Sequence, residues 1–247
     1  MNPFRKLFGR DRFRADYIGD SFAVRKKNLG FLRNSKFAAA YEWSAHTAYA
    51  GKQPPWAATD LRWRAHICCW AATQGLKIEG DFVECGVDTA VTSGAILKYL
   101  EFASVPRKFF LFDTFSGIPL HPDMTEPERS ARDLLNRQFY FDSYDFVRTK
   151  TAAFPNVEMV RGILPDTLEA IAGRNIAYLS IDLNNAPAES AVIERLWPQL
   201  ASGAIIVLDD YAFAGHDAQY EFWNRFAAAK GLMIATLPTG QGLLIKG

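Results

Sequence analysis

The chain has little that would staple it together or carry it through a membrane. Its three cysteines, Cys68, Cys69 and Cys85, give neither a disulfide framework nor a zinc ligand set, and they fit a reducing compartment. No apolar run is long enough to cross a bilayer, and the N-terminus lacks the uninterrupted apolar core of a signal peptide, so a cytoplasmic location is expected. Excess charge of one sign is also missing. The 28 Lys plus Arg against 27 Asp plus Glu leave a formal net charge of +1, which offers no global field for nucleic acid. No internal repeat or low-complexity tract is visible, and 49% hydrophobic with 22% charged residues is a globular balance.

The cations are nonetheless uneven. Arg5, Lys6, Arg10, Arg12 and Arg14, then Arg25, Lys26 and Lys27, are set among Phe4, Phe8, Phe13 and Phe22. Residues 1–58 read as a basic, aromatic helical extension, with a helix around residues 35–50 and a break at Gln53, Pro54 and Pro55. Such a segment suits a lid or a dimerisation arm, hence a homo-oligomer, and allows weak contact with an anionic lipid surface.

Residues 59–247 alternate strand and helix. A helix over residues 60–75 places Leu61, Arg64, Ile67 and Trp70 on one face, which is expected to pack against the sheet. Short apolar runs predict strands at 81–87, 108–112, 157–161, 176–181, 204–208, 232–236 and 242–246. Helical patterns at 90–103, 166–172, 188–200 and 217–230 lie between them, with Ser202 and Gly203 ending the third. A polar, aromatic insertion at 120–155 is too long for a plain connection and is expected to be helical and lid-like. The pattern predicts an α/β fold: a doubly wound, mostly parallel, seven-stranded Rossmann-like sheet with an antiparallel C-terminal edge.

Two strand ends carry acids. Asp182 closes residues 176–181, and Asp209 and Asp210 close residues 204–208. A strand, a crossover helix and a parallel strand bring both ends to one edge of the sheet, where ligands bind in open α/β sheets. Three acids there repel unless a cation or proton sits among them. A hard divalent ion, Mg²⁺ first, resolves that repulsion; capping of helices and loop amides is the structural alternative.

A second corner lies at the ends of the first two strands. Glu84, Gly86 and Asp113 suit a nucleoside without phosphate, such as S-adenosylmethionine, with Asp113 on the ribose. The spaced glycines of a pyrophosphate loop are absent: Asp88, Thr89, Ala90 and Val91 follow Gly86. That counts against a nicotinamide-dependent dehydrogenase. A plain strand-end turn and a cap at Asp113 are the alternative reading of these residues.

The ordered set ECGV at 84–87, FDTFSGIP at 112–119, RGILPDTL at 161–168, IDLN at 181–184, LDDY at 208–211 and LPTGQG at 237–242 resembles the macrocin O-methyltransferase (TylF/MycF-type) family of class I S-adenosylmethionine-dependent methyltransferases. The resemblance implies cofactor contacts at Glu84, Cys85, Gly86, Asp113, Thr114, Gly162 and Asp182. It implies Mg²⁺ at Asp182, Asp209 and Asp210, and an acceptor hydroxyl on a sugar or glycosylated small molecule. The chain departs from the family at the glycine-rich turn, replaced by residues 88–91, and around Asn184, Ala186 and Pro187.

For the proton, Asp182 and His216 are the expected catalytic groups, with His121 a second candidate base; a lone histidine is more often a loop residue. A non-catalytic binding or assembly protein built on the same fold is the rival reading. The altered turn favours it and the retained acids oppose it.

Overall fold

The computed structural model describes residues 15–46, 59–120, 122 and 124–247. The basic stretch through Arg14, the end of the helix expected at 35–50, the break at 53–55 and His121 lie outside these residues.

The N-terminal part is not wholly helical. Strands β1 (Tyr17–Gly19) and β2 (Phe22–Val24) form an antiparallel hairpin whose two loop residues, Asp20 and Ser21, both have positive φ, the backbone of a type I′ turn. Tyr17, Phe22 and Trp63 pack ring to ring at 5.5–5.6 Å and tie the hairpin to the body. A 3₁₀ turn (Gly30–Arg33) leads into α1 (Ser35–His46).

Helix α2 (Arg62–Gly75) precedes β3 (Asp81–Cys85), α3 (Val91–Tyr99) and β4 (Phe109–Asp113). The insertion is helical as expected, with α4 (Glu126–Phe139) and α5 (Tyr144–Thr151). Then follow β5 (Val157–Arg161), β6 (Ile176–Ile181), α6 (Ala186–Leu196), β7 (Leu200–Leu208), α7 (Asp217–Ala229), β8 (Ala235–Thr236) and β9 (Gly242–Ile245). The seven-stranded sheet runs β5-β4-β3-β6-β7-β9-β8, parallel up to β7, with β9 antiparallel to both neighbours.

Every residue of β6 is buried, because helices cover both faces of a parallel sheet. One face packs under α1, α2, α3 and α5 around Phe82, Phe109 and Tyr178; the other packs under α6 and α7 around Phe110, Leu179 and Ile206. No helix among the described residues is long and apolar enough to cross a membrane.

Two local expectations are corrected. The buried face of α2 is Arg64, Ala65, Cys68, Cys69, Ala71, Ala72 and Gly75, while Trp70 is 43% exposed; small residues let the helix lie close on the sheet, where even a Cβ at Gly75 would sit 3.1 Å from Tyr178. Ser202 and Gly203 do not end α6. The helix gives way to a 3₁₀ turn at Trp197–Gln199, where Pro198 lacks the amide that a further α-turn needs. Ser202 and Gly203 lie inside β7, where its register with β6 shifts between Ile176 and Tyr178.

Candidate active site

The carboxyl ends of β3, β4 and β6 open into a cleft lined by Gly86, Asp88, Asp113, Tyr140, Asp182 and Asn184, among others. Gly86, Asp113, Thr114, Gly162 and Asp182 thus share one space, as their places in the sequence require. Gly86 has φ +89, and a Cβ there would collide with the backbone carbonyl of Asp182. The close approach of the chain leaving β3 to the end of β6 therefore depends on glycine.

Asp113 holds the turn after β3. Its Oδ2 accepts from the backbone N–H groups of Val87 (2.5 Å) and Asp88 (2.8 Å), and its Oδ1 from that of Phe115 (2.6 Å). Thr114 Oγ1 donates to the Gly117 carbonyl at 2.6 Å, closing the turn after β4. Glu84 and Cys85 are placed differently from their expected role: both side chains are buried in the sheet, and neither lines the cleft. Alternation along β3 points Glu84 toward α3 and Cys85 toward the opposite core. Among the described residues Glu84 Oε2 has no hydrogen-bond partner, and burial pushes its carboxyl up to about 8.

The acid corner assembles as expected, with one carboxylate oxygen each from Asp182, Asp209 and Asp210 within 4.8 Å of one another. Burial, and then Asp209 and Asp210, push the Asp182 carboxyl well above the ordinary range; burial and Asp209 raise that of Asp210. An all-oxygen donor set under mutual repulsion fits a hard divalent cation such as Mg²⁺.

A cation of the chain's own already touches this corner. Arg64 of α2 is 6% exposed. Its Nη1 lies 2.5 Å from Asp209 Oδ2 and 3.6 Å from Asp210 Oδ1, and also donates to the Asp209 carbonyl at 2.7 Å. Its Nε and Nη2 reach Asp20 in the hairpin turn, and Nη2 the Thr239 carbonyl. Gln241 Nε2 donates to the other oxygen of Asp209 at 3.0 Å. Both oxygens of Asp209 are thus engaged by protein donors, whereas among the described residues Asp182 Oδ1 accepts from the Asn184 Nδ2 side chain (3.0 Å) alone.

His216 stands behind this layer and does not line the cleft. Its Nε2 is 3.4 Å from Asp210 Oδ2 and 3.3 Å from Asn184 Oδ1, and burial lowers its pKa. Asn184, at φ +58, links His216 to Asp182, and its carbonyl accepts from Nε of the buried Arg132 on α4 at 2.6 Å. Tyr140, just past α4, adds a phenol to the cleft. Arg64, Gln241, Tyr140 and Arg132 were not anticipated. The available signal was Arg64, an arginine on a helical face otherwise read as inward.

The macrocin-O-methyltransferase (TylF) family model matches residues 60–236. A curated relative, the 8-demethyl-8-(2,3-dimethoxy-alpha-L-rhamnosyl)-tetracenomycin-C 4'-O-methyltransferase of Streptomyces olivaceus, is 24% identical over 158 residues; the match spans 60% of this chain and 60% of the relative. Among solved structures, the O-methyltransferase NovP superposes with a TM-score of 0.62 at 19% identity, covering 74% of this chain and 79% of NovP. The calicheamicin methyltransferase CalS11 gives 0.60 at 20% identity, with 75% and 79% covered. At these identities the structural likeness speaks for the fold: the α/β sheet of class I methyltransferases.

Proposed function

The chain belongs to the macrocin O-methyltransferase (TylF) family, and from that premise we propose that it transfers the methyl group of S-adenosylmethionine to a hydroxyl of a sugar or glycosylated small molecule. The observation that carries this reading is the single cleft in which the Gly86 and Asp113 corner meets Asp182 at the carboxyl edge of parallel strands. The curated relative is named for a 4'-O-methyl transfer on a rhamnosyl-bearing compound, which supports a sugar-type acceptor.

Bound S-adenosylmethionine supplies a sulfonium methyl that an oxygen nucleophile attacks in line, so positioning contributes much of the rate. Val87 and Asp88, held by Asp113, form with Gly86, Thr114 and Gly162 the wall against which the nucleoside would lie. Mg²⁺ held by Asp182, Asp209 and Asp210 would lower the pKa of an acceptor hydroxyl and fix its direction. Asp182 stands between the two corners and serves either as a ligand of that ion or, without it, as the general base, since burial and its acidic neighbours raise its proton affinity. His216 orients Asp210 and Asn184 behind it.

The test is calorimetric titration of S-adenosylmethionine and S-adenosylhomocysteine into the full chain, with and without Mg²⁺ and with Asp113→Ala as control. It is followed by transfer of labelled methyl to rhamnosides. Micromolar binding lost in the Asp113 variant supports the cofactor assignment. Binding without transfer to any glycoside favours a non-catalytic role, and absence of binding removes both readings.

A further inference from the structure

A buried ammonium stands behind the turn that shapes the cofactor wall. Lys150, near the end of α5, is 6% exposed. Its Nζ donates to the carbonyls of Ser44 (2.7 Å), Thr89 (2.9 Å) and Ala90 (2.8 Å). The rings of Trp43 and Phe146 flank it at 5.8 and 5.5 Å. Ser44 of α1 joins the same point, its Oγ reaching the carbonyls of Ala90 (3.0 Å) and Val91 (2.7 Å). Gly94 makes the room: a Cβ there would lie 3.0 Å from Lys150 Cε and against Ser44 Oγ.

The turn itself is unusual. Asp88 and Ala90 have φ of +48 and +55, conformations that L-residues other than Asn and Asp rarely adopt, and neither is glycine. Thr89 and Ala90 are 1% and 0% exposed, so their carbonyls need partners inside the protein. The Lys150 ammonium supplies one to each.

We propose that Lys150 is the positioning residue of the cofactor turn. Its ammonium, delivered by the insertion, does for residues 88–90 what glycines do elsewhere. It holds the left-handed backbone that sets Val87 and Asp88 at the cleft, and it couples cofactor binding to the seating of α1 and α5 on that turn. Asp113 fixes the turn from the cleft side and Lys150 from behind. The inference rests on the cofactor reading above.

The experiment titrates S-adenosylhomocysteine into the full chain, into Lys150→Met and into Lys150→Met combined with Ala90→Gly, with thermal melts of each. Losing the donor to two buried carbonyls weakens binding about tenfold or more. Ala90→Gly then recovers about threefold or more, because glycine enters the left-handed region without strain. A lysine that only supports the core gives a loss that this glycine does not recover. Binding by Lys150→Met within about twofold of the parent chain, or a loss untouched by Ala90→Gly, overturns the proposal at the same energy scale. If Lys150→Met does not fold, Lys150→Gln is read in the same way. Failure of every Lys150 variant to fold, the glycine-bearing one included, assigns Lys150 to the core and also overturns it. Failure of the unaltered chain to bind S-adenosylhomocysteine is a separate result that removes the cofactor reading itself.

Discussion

Arg64 Nη1 lies 2.5 Å from Oδ2 of Asp209, so the acid corner is built around a guanidinium from the first helix of the methyltransferase region. The same group takes both oxygens of Asp20, 44 residues upstream, and the Thr239 carbonyl near the C-terminus. One side chain therefore ties the N-terminal hairpin, the β7 edge and the C-terminal turn together. Burial pushes the Asp20 carboxyl up while Arg64 pulls it down, the balance expected of a desolvated ion pair.

Removing one partner of such a network leaves the others charged and dry. Arg64→Met is expected to lower stability by about 3–5 kcal/mol, read from denaturant melts. Arg64→Lys should recover only part, because an ammonium cannot reproduce the fork that reaches Asp20 and Asp209 together. A loss below about 1 kcal/mol, the scale of an exposed pair, would contradict the account.

The engagement of Asp209 also sets an order among the three acids. Its two oxygens already serve Arg64 and Gln241, whereas Asp182 and Asp210 are the groups whose proton affinity is raised by burial and repulsion. Calorimetric titration with Mg²⁺, or Mn²⁺ followed by electron paramagnetic resonance, should show Asp182→Asn and Asp210→Asn losing more affinity than Asp209→Asn. Equal losses at all three positions would place Asp209 on the same footing as the others.

The strands and their terminal acids were readable because each rests on a local rule. An apolar run such as IAYLSI makes a buried strand, and an acid after it lands at the sheet edge. The hairpin at Tyr17–Val24 was hidden because Asp20 and Ser21 are not the Asn-Gly or Asp-Gly pair that marks a type I′ turn. Arg64 and Lys150 were hidden for another reason. Their partners sit 44 to 175 residues away for Arg64, and 60, 61 and 106 residues away for Lys150. For Arg64 the local pattern hints only at an inward face and says nothing of its partners; for Lys150 nothing in the pattern of its helix distinguishes a solvated cation from one that closes such a network. Glu84 is placed by strand alternation, which turns it away from the edge where its motif neighbours Gly86 and Val87 line the cleft.

Glu189 offers a pH test beside the acid corner, where Asp210 adds to the effect of burial. It is 5% exposed and accepts from Trp223 Nε1 at 2.7 Å, and burial pushes its carboxyl up to about 8. A carboxyl raised on folding holds its proton in the native state while the unfolded chain has released it. Its contribution is therefore full below the unfolded pKa and is lost as pH rises toward 8. Glu189→Gln keeps an acceptor for Trp223 and removes the titration. Between pH 5 and 7 the variant should gain on the parent chain by about 1.4 kcal/mol per pH unit at most, measured by parallel denaturant melts. A pH-independent difference would show that Glu189 does not titrate in this window.

Gly86 and Gly215 form a matched pair for separating backbone strain from collision. Their φ values are +89 and +86, so an alanine at either position meets a similar conformational penalty, about 1–2 kcal/mol. They differ in what surrounds them: a Cβ at Gly215 meets nothing within 4 Å, while one at Gly86 runs into the Asp182 carbonyl. That carbonyl is backbone at the end of β6, bonded through its neighbouring amide to Cys85 at 2.8 Å, and it cannot move without separating β3 from β6. Gly215→Ala should therefore melt only a few degrees lower and still bind S-adenosylhomocysteine. Gly86→Ala should lose far more stability and, where it folds, lose the ligand as well, since Gly86 and Asp182 both line the cleft. Equal melting temperatures for the two variants would mean that strain alone matters here, and that the contact between Gly86 and Asp182 does not organise the site.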